Sequence, residues 1–360
     1  MMICFRADAS LEIGTGHVMR CLTLAQLLQT QGHSCIFLCK RHEGHLVEHI
    51  ESLDFHVEII ETPPRLQQQF SLTHASWLGS TQEEDAKACA SILERLKPHW
   101  LVVDHYALDI LWEQTLAPYY QKLLVIDDLA DRKHLANLLL DQNYGRNPND
   151  YHNLVPPECT ILTGPTYALL RPEFAQLRPY SLARREQGHC HNLLLNLGGV
   201  DQNNISEKLL NALTLCNFPK NFNITVVLGP KSPWQKEVKN QACKMPWPTQ
   251  VLVGTNQMAQ LMADHDLAIG AAGSTTWERC CLGLPTIMIV IAANQQLSAQ
   301  ALSAAGISYV LNSLNQLDVD LPSLMQSIDP IALQQMVQKS STITMGTGAN
   351  QICQIMALIH

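Results

Sequence analysis

Apolar runs alternate with helical patterns from one end of this chain to the other, and no other feature restricts its fold as strongly. Strands separated by helices are too far apart in sequence to pair as hairpins. They pair in parallel, with each helix laid back over the sheet. In the first half, residues 2–7, 34–39, 56–60, 100–103 and 123–126 read as strands, and 137–141 is a candidate sixth. Helical patterns fill 17–31, 43–53, 83–96 and 109–119, while 61–82, with Pro63-Pro64 and three consecutive glutamines, reads as a longer irregular connection.

The rhythm loosens between about 145 and 188, around Pro148, Pro156, Pro157, Pro165, Pro172 and Pro179. A second series then begins, with strands expected at 191–196, 223–228, 249–253, 266–270 and 285–290 and helices at 202–216, 232–243, 256–263, 274–282 and 294–304. The expected fold class is α/β, with two Rossmann-like doubly wound domains facing a central cleft. A chain of 360 residues suits two such domains. The boundaries expected are 1–170 and 171–346, followed by a helix over 347–360 that closes the second domain or packs back on the first.

Composition narrows the class. A net charge of −8 lacks the basic footprint of a nucleic-acid binder. No apolar run approaches the length of a membrane span, and Asp8 and Glu12 interrupt the start, so neither a membrane partner nor a secretory signal is expected. Most of the twelve cysteines, Cys4, Cys35, Cys216 and Cys353 among them, fall inside expected strands or helices. There a free thiol acts as a small hydrophobe, as in a reduced, cytoplasmic protein. Fifteen histidines occur without CxxC or HExxH. His42, His45 and His49 would share a helical face, but with no further ligand nearby they read as an exposed polar face, and no metal is expected.

The chemistry is written in the loops after the strands, which in such folds share the ligand-bearing edge of the sheet. The first strand leads into Ile13-Gly14-Thr15-Gly16-His17, and a helix begins at the histidine, because Val18, Cys21, Leu22, Ala25 and Leu28 follow at helical spacing. Gly14 and Gly16 either bring backbone close to a ligand or only permit a tight turn. Asp8, Asp104 and Asp128 end strands on that same edge. Each is a candidate to orient His17 or to hold sugar hydroxyls, and each is also placed to cap a following helix.

In the second half, Gly273-Ser274-Thr275 follows a strand and opens a helix, a seat for phosphate, with Ser274 and Thr275 able to cap that helix. Glu278, one turn in, can accept hydrogen bonds from a ribose diol. Asn196 to Asp201, including Gly199, forms a second glycine loop, and Leu228-Gly229-Pro230 a third. Asn294 and Gln295 follow the next strand and are candidates to reach the substrate. No GxxxxGK[ST] pattern is present, which disfavours ATP-type phosphoryl transfer. The third glycine of a dinucleotide fingerprint is missing, and Cys39-Lys40-Arg41 stands where an acidic residue would end the second strand, which disfavours NAD. No cofactor is expected.

Taken together, these segments resemble the UDP-sugar hydrolases of pseudaminic acid biosynthesis, the bacterial route that feeds flagellin glycosylation. The resemblance rests on Arg6-Ala7-Asp8, Ile13 to His17, Met19-Arg20-Cys21-Leu22, Val103-Asp104-His105-Tyr106 and Ile126 to Arg132. It continues through Leu139 to Asn143, Tyr167 to Phe174 (which contains Arg171), Leu197 to Asp201, Gly273 to Glu278, and Asn294-Gln295. It implies a GT-B-like fold, similar to the glycosyltransferase that adds N-acetylglucosamine to a lipid-linked peptidoglycan precursor, with water in place of the acceptor. The substrate implied is UDP-2,4-diacetamido-2,4,6-trideoxy-β-L-altropyranose, cleaved at C1–O with inversion to UDP and free sugar. His17 is implied as the residue that activates water. Arg171, Gly199, Gly273, Ser274, Thr275, Glu278, Asn294 and Gln295 are expected around the substrate. Some members carry an extra acetyltransferase domain, for which 360 residues leave no room, and a monomer is expected. The rival expectations are an inverting glycosyltransferase on the same fold and a non-catalytic UDP-sugar-binding protein.

Overall fold

The computed structural model describes residues 1–62, 72–292, 295–311 and 313–359. The chain divides into two compact units, Met1–Leu169 joined by the segment from Gly348 onward, and Leu170–Thr347.

Seven strands build the first unit: β1 (Met2–Ala7), β2 (Ser34–Cys39), β3 (His56–Ile59), β4 (Trp100–Asp104), β5 (Lys122–Ile126), β6 (Leu138–Asp141) and β7 (Thr160–Thr163). They pair in the order β3-β2-β1-β4-β5-β6-β7, every neighbour parallel. Helices α1 (Gly16–Thr30), α2 (Val47–Glu51), α3 (Gln82–Leu96) and α4 (Ile110–Leu116) link them. Both faces of the sheet are buried, so the strands are apolar at successive positions instead of alternating with polar residues. Ile3, Phe5 and Ala7 join a core with Val18, Cys21, Leu22 and Leu28 of α1. The intervening Cys4 joins Cys89, Leu93 and Trp112 on the other face.

The second unit holds α5 (Pro172–Arg184), β8 (Asn192–Asn196), α6 (Ile205–Leu213), β9 (Asn223–Leu228), α7 (Gln235–Ala242), β10 (Thr249–Val253), α8 (Met258–Asp264), β11 (Leu267–Ala271), α9 (Thr275–Cys281), β12 (Thr286–Ile289), α10 (Gln296–Ala304), β13 (Tyr309–Leu311), α11 (Leu317–Ser327) and α12 (Pro330–Ser341). Its six strands run in parallel in the order β10-β9-β8-β11-β12-β13. The last described helix, α13 (Gly348–Leu358), belongs to the first unit. Its buried Ile352, Cys353 and Met356 share a core with Val18, Leu24 and Leu28 of α1.

In each sheet the strand order reverses direction at the centre, between β1 and β4 in the first and between β8 and β11 in the second. Crevices open at such switch points, beyond the carboxyl ends of the strands. The loop after β1 leads into His17 at the start of α1, Asp104 is the last residue of β4, and the glycine loops at 197–201 and 272–274 leave β8 and β11.

Several elements depart from the sequence pattern. The helix expected over 43–53 is only the five residues of α2. Gly44 takes a left-handed backbone (φ 86°) ahead of it, and the Leu11 N–H donates to the Glu43 carbonyl at 2.9 Å, so 43–44 form a turn and 42–46 stay outside the helix. His42, His45 and His49 therefore share no helical face. Strands β7 and β13 and helices α5, α11 and α12 lie beyond the sequence pattern because they are short or hold prolines. Pro172 opens α5, Pro179 lies inside it, and Pro322 lies inside α11. In the 61–82 connection, residues 63–71 lie outside the described ones, and Ala75–Leu78 forms a single 3-10 turn.

Candidate active site

His17 lies in the first turn of α1 and Asp104 at the carboxyl end of β4. Asp104 aligns with Ala7 across the β1–β4 pair, so it stands beside the loop that delivers the histidine. His17 Nδ1 lies 2.5 Å from Asp104 Oδ1. Arg20, one turn along the same face of α1, donates from Nε to Asp104 Oδ2 at 2.6 Å and from its Nη2 to Asp104 Oδ1 at 2.7 Å. Burial alone would raise the Asp104 pKa, but Arg20 and then His17 hold it well below the usual carboxylate range. An ionised carboxylate can only accept, so the imidazole proton sits on Nδ1. In the neutral ring the lone pair is then on Nε2, the form a general base needs.

Arg20 also pairs with Asp128 at 2.8 Å, and the Tyr106 hydroxyl donates to Asp128 at 2.5 Å. The Tyr106 ring meets His17 edge to face with centroids 4.6 Å apart, and Trp77, on the 3-10 turn, stacks on Tyr106 at 5.6 Å. The imidazole is thus fixed by a carboxylate at one nitrogen and by an aromatic ring on its flank.

Asp8 belongs to a different network. Its Oδ2 faces Arg6 at 2.7 Å, His105 Nε2 at 3.3 Å and His42 Nε2 at 3.5 Å, and its Oδ1 accepts from the Lys40 N–H. Burial would raise its pKa, yet Arg6 holds it well below the usual range. The Ala107 N–H donates to His105 Nδ1, so the His105 proton lies on Nε2, toward Asp8, and burial keeps this ring neutral. Of the three strand-end carboxylates, Asp104 touches His17, Asp128 reaches it through Arg20 and Tyr106, and Asp8 bonds elsewhere. Gly14 has a left-handed backbone (φ 80°) with open space where a Cβ would stand, and Gly16 opens α1.

In the second unit, Gly229 approaches the β8 loop so closely that a Cβ would lie 1.8 Å from the Gly199 carbonyl oxygen. Gly273 stands beside Gln295, whose side-chain nitrogen would be 3.6 Å from a Cβ there. Gln295 Oε1 accepts from the Ile291 N–H at 3.1 Å, whereas Asn294 lies outside the described residues. Glu278 is half-buried, and its pKa is pushed up to about 7 by burial against the opposing pull of Arg171 and Arg279. Arg171 sits at the N-cap of α5, its guanidinium 5.4 Å from the centre of the Phe174 ring.

The capping expected of Ser274 is absent. Ser274 holds the N-cap of α9 with helical backbone angles (φ −56°, ψ −29°), not the extended angles that aim a side chain at the first-turn N–H groups, and makes no capping bond. Thr275 Oγ1 instead accepts from Arg279 at 3.2 Å.

Arg20, Trp77 and Arg279 were not singled out from the sequence. Arg20 carried a signal, lying three residues beyond His17 on the same helix face. Trp77 sits in an irregular stretch with no period to read. Among the described residues no group of three or more His, Cys, Asp or Glu is arranged to hold a metal ion, and no helix is long and apolar enough to cross a membrane.

Residues 194–354 match the glycosyltransferase family 28 C-terminal domain. The chain is similar to the UDP-2,4-diacetamido-2,4,6-trideoxy-beta-L-altropyranose hydrolase of Campylobacter jejuni, 25% identical over 307 residues that cover 85% of this chain and 97% of that one. It is 26% identical to the uncharacterized protein MJ1062 of Methanocaldococcus jannaschii over 294 residues, 80% of this chain, and spans about half (55%) of that longer protein. In structure it resembles MurG of Acinetobacter baumannii, with a TM-score of 0.70, 16% identity and 99% of each chain covered. The fold is α/β and GT-B-like, with two Rossmann-like parallel sheets.

Proposed function

We propose that this chain is a UDP-sugar-processing enzyme and that its reaction is hydrolysis, with UDP-2,4-diacetamido-2,4,6-trideoxy-β-L-altropyranose as substrate. The observation that carries the reading is the His17–Asp104 pair at the switch point of the first sheet, with Nε2 left as the basic nitrogen. The likeness to the Campylobacter hydrolase across most of both chains supports the substrate.

In this reading the second unit recognises the nucleotide. Glu278 accepts from the ribose hydroxyls, the 273–275 loop takes the diphosphate, and the uracil lies against residues 250–258. His17 Nε2 removes a proton from water as the water oxygen bonds to C1 of the sugar. The C1–O bond breaks, its electron pair leaves on UDP, and the anomeric centre inverts. UDP is a good leaving group, so fixed positive charge at the phosphates suffices and no general acid is required. His17 then returns its proton to solvent.

The match of residues 194–354 to a glycosyltransferase domain favours a second reading, transfer to an acceptor other than water. One experiment separates the two. Purified protein is incubated with the UDP-sugar alone in oxygen-18 water and followed by NMR and mass spectrometry. Hydrolysis gives UDP and free sugar labelled at C1. Substrate that survives until an acceptor is added points to transfer, and label in UDP refutes C1–O cleavage.

A further inference from the structure

Arg279 is 1% exposed, and among the described residues it forms no ion pair. Side chains lean toward the N-terminus of their helix, and Arg279 is four residues beyond Thr275, so its guanidinium folds back beneath the loop that opens α9. There it donates to the Ala271 carbonyl at 2.7 Å and to the hydroxyls of Thr275 and Thr276, each at 3.2 Å, while Nε has no partner. Gly270 makes room for it, since a Cβ at that position would lie 2.3 Å from a guanidinium nitrogen. Burial pushes the Arg279 pKa down to about 10, so the group is still a cation at neutral pH. Glu278, the carboxyl group whose charge acts on Arg279, is pushed up to about 7 and only partly offsets that charge.

A buried guanidinium with only neutral acceptors is unfavourable unless an anion completes it. Helix α9 has only seven residues, so its own dipole is a weak source of positive potential. We infer that Arg279 is a positioning residue that charges the 273–275 loop from below, so that a nucleoside phosphate seated there completes the arginine electrostatically without touching it. Thr275 is the relay. Its oxygen accepts from Arg279, which leaves its O–H free to donate to a phosphate oxygen. The inference rests on the nucleotide reading proposed above and goes beyond it by assigning the source of the loop's charge.

The test is calorimetry with uridine, UMP and UDP on the wild type, Arg279→Lys, Arg279→Met and Thr275→Val. A unit charge acting over several ångströms in a partly solvated site changes affinity by roughly tenfold. Arg279→Met is therefore expected to bind uridine within about threefold of wild type, UMP about tenfold more weakly, and UDP more weakly still. Arg279→Lys keeps most of the phosphate affinity, and Thr275→Val loses it selectively. An equal loss for all three ligands marks a merely structural arginine and overturns the inference, as does unchanged UDP binding. If Arg279→Met fails to fold, Arg279→Gln decides, because it keeps a side-chain donor and drops the charge, and its loss must track the phosphate count. Wild type that binds UDP no better than uridine refutes the nucleotide reading itself, a result distinct from any behaviour of the variants.

Discussion

Replacing Asp104 by asparagine tests the tautomer argument with one atom. The carboxylate accepts from His17 Nδ1, from two nitrogens of Arg20 and, at 3.7 Å, from the Cys21 thiol. An amide has one accepting oxygen, and the two Arg20 bonds compete for it. The amide nitrogen then faces His17, and a donor opposite Nδ1 places the imidazole proton on Nε2, which removes the lone pair. The expected fall in kcat is about a hundredfold to ten-thousandfold, the range for losing a general base. Breaking a buried charge pair costs about 3–5 kcal/mol, and Asp128 remains on Arg20, so the lower end is expected. The pH dependence gives a second readout. Asp104 has a folded pKa below its unfolded value, so it contributes stability above the unfolded pKa near 4 that is lost as pH falls through the folded one. The Asp104→Asn variant lacks that acid-sensitive component. Steady-state UDP release near neutral pH and thermal melts from about pH 7 down to about pH 2 measure both. A folded variant with kcat within about threefold of wild type refutes the tautomer argument.

His17→Asn is expected to lower kcat by about two to four powers of ten with UDP affinity unchanged by calorimetry; near-normal turnover removes His17 from the chemistry. Glu278 has a folded pKa raised to about 7, so its protonation stabilises the fold at low pH and that contribution is gone above pH 7. Glu278→Gln is accordingly expected to stabilise the fold at about pH 8, by at most about 3 kcal/mol and with a higher Tm, and to leave the Tm unchanged near pH 4. It also weakens UDP binding at the higher pH; a Tm shift equal at both pH values contradicts the assignment. Gly229→Ala places a methyl group against the Gly199 carbonyl and forces backbone apart. A loss of about 3 kcal/mol is expected, and a melting temperature within a degree of wild type contradicts the close approach.

The parallel sheets were legible because strands buried on both faces are written as continuous apolar runs, such as Leu123 to Ile126 and Leu193 to Leu195. His17 was legible because the helix pattern begins at it. Which carboxylate meets it was not, since Asp8, Asp104 and Asp128 all end strands on one edge. Only the adjacency of β4 to β1 selects Asp104, and strand order is a property of the whole sheet. The arginines were harder still. Arg6 and Arg279 are fully buried, the opposite of the usual habit of that residue. Nothing local announces a buried cation whose partner is a carboxylate on a distant helix, as Asp85 is for Arg6, or a backbone carbonyl, as that of Ala271 is for Arg279.

The return of α13 to the first unit has a consequence for how the protein is made. Residues 348–358 leave the ribosome after the whole second unit, yet Ile352, Cys353 and Met356 help cover the helix that carries His17. Until they emerge, α1 presents bare apolar surface, and the second unit can complete its fold before the first. The helix that bears the candidate catalytic histidine is thus among the last parts of the molecule to be sealed. A fragment ending at Leu169, though it holds every residue of the His17–Asp104–Arg20–Asp128 network, would lack the cover that seals it.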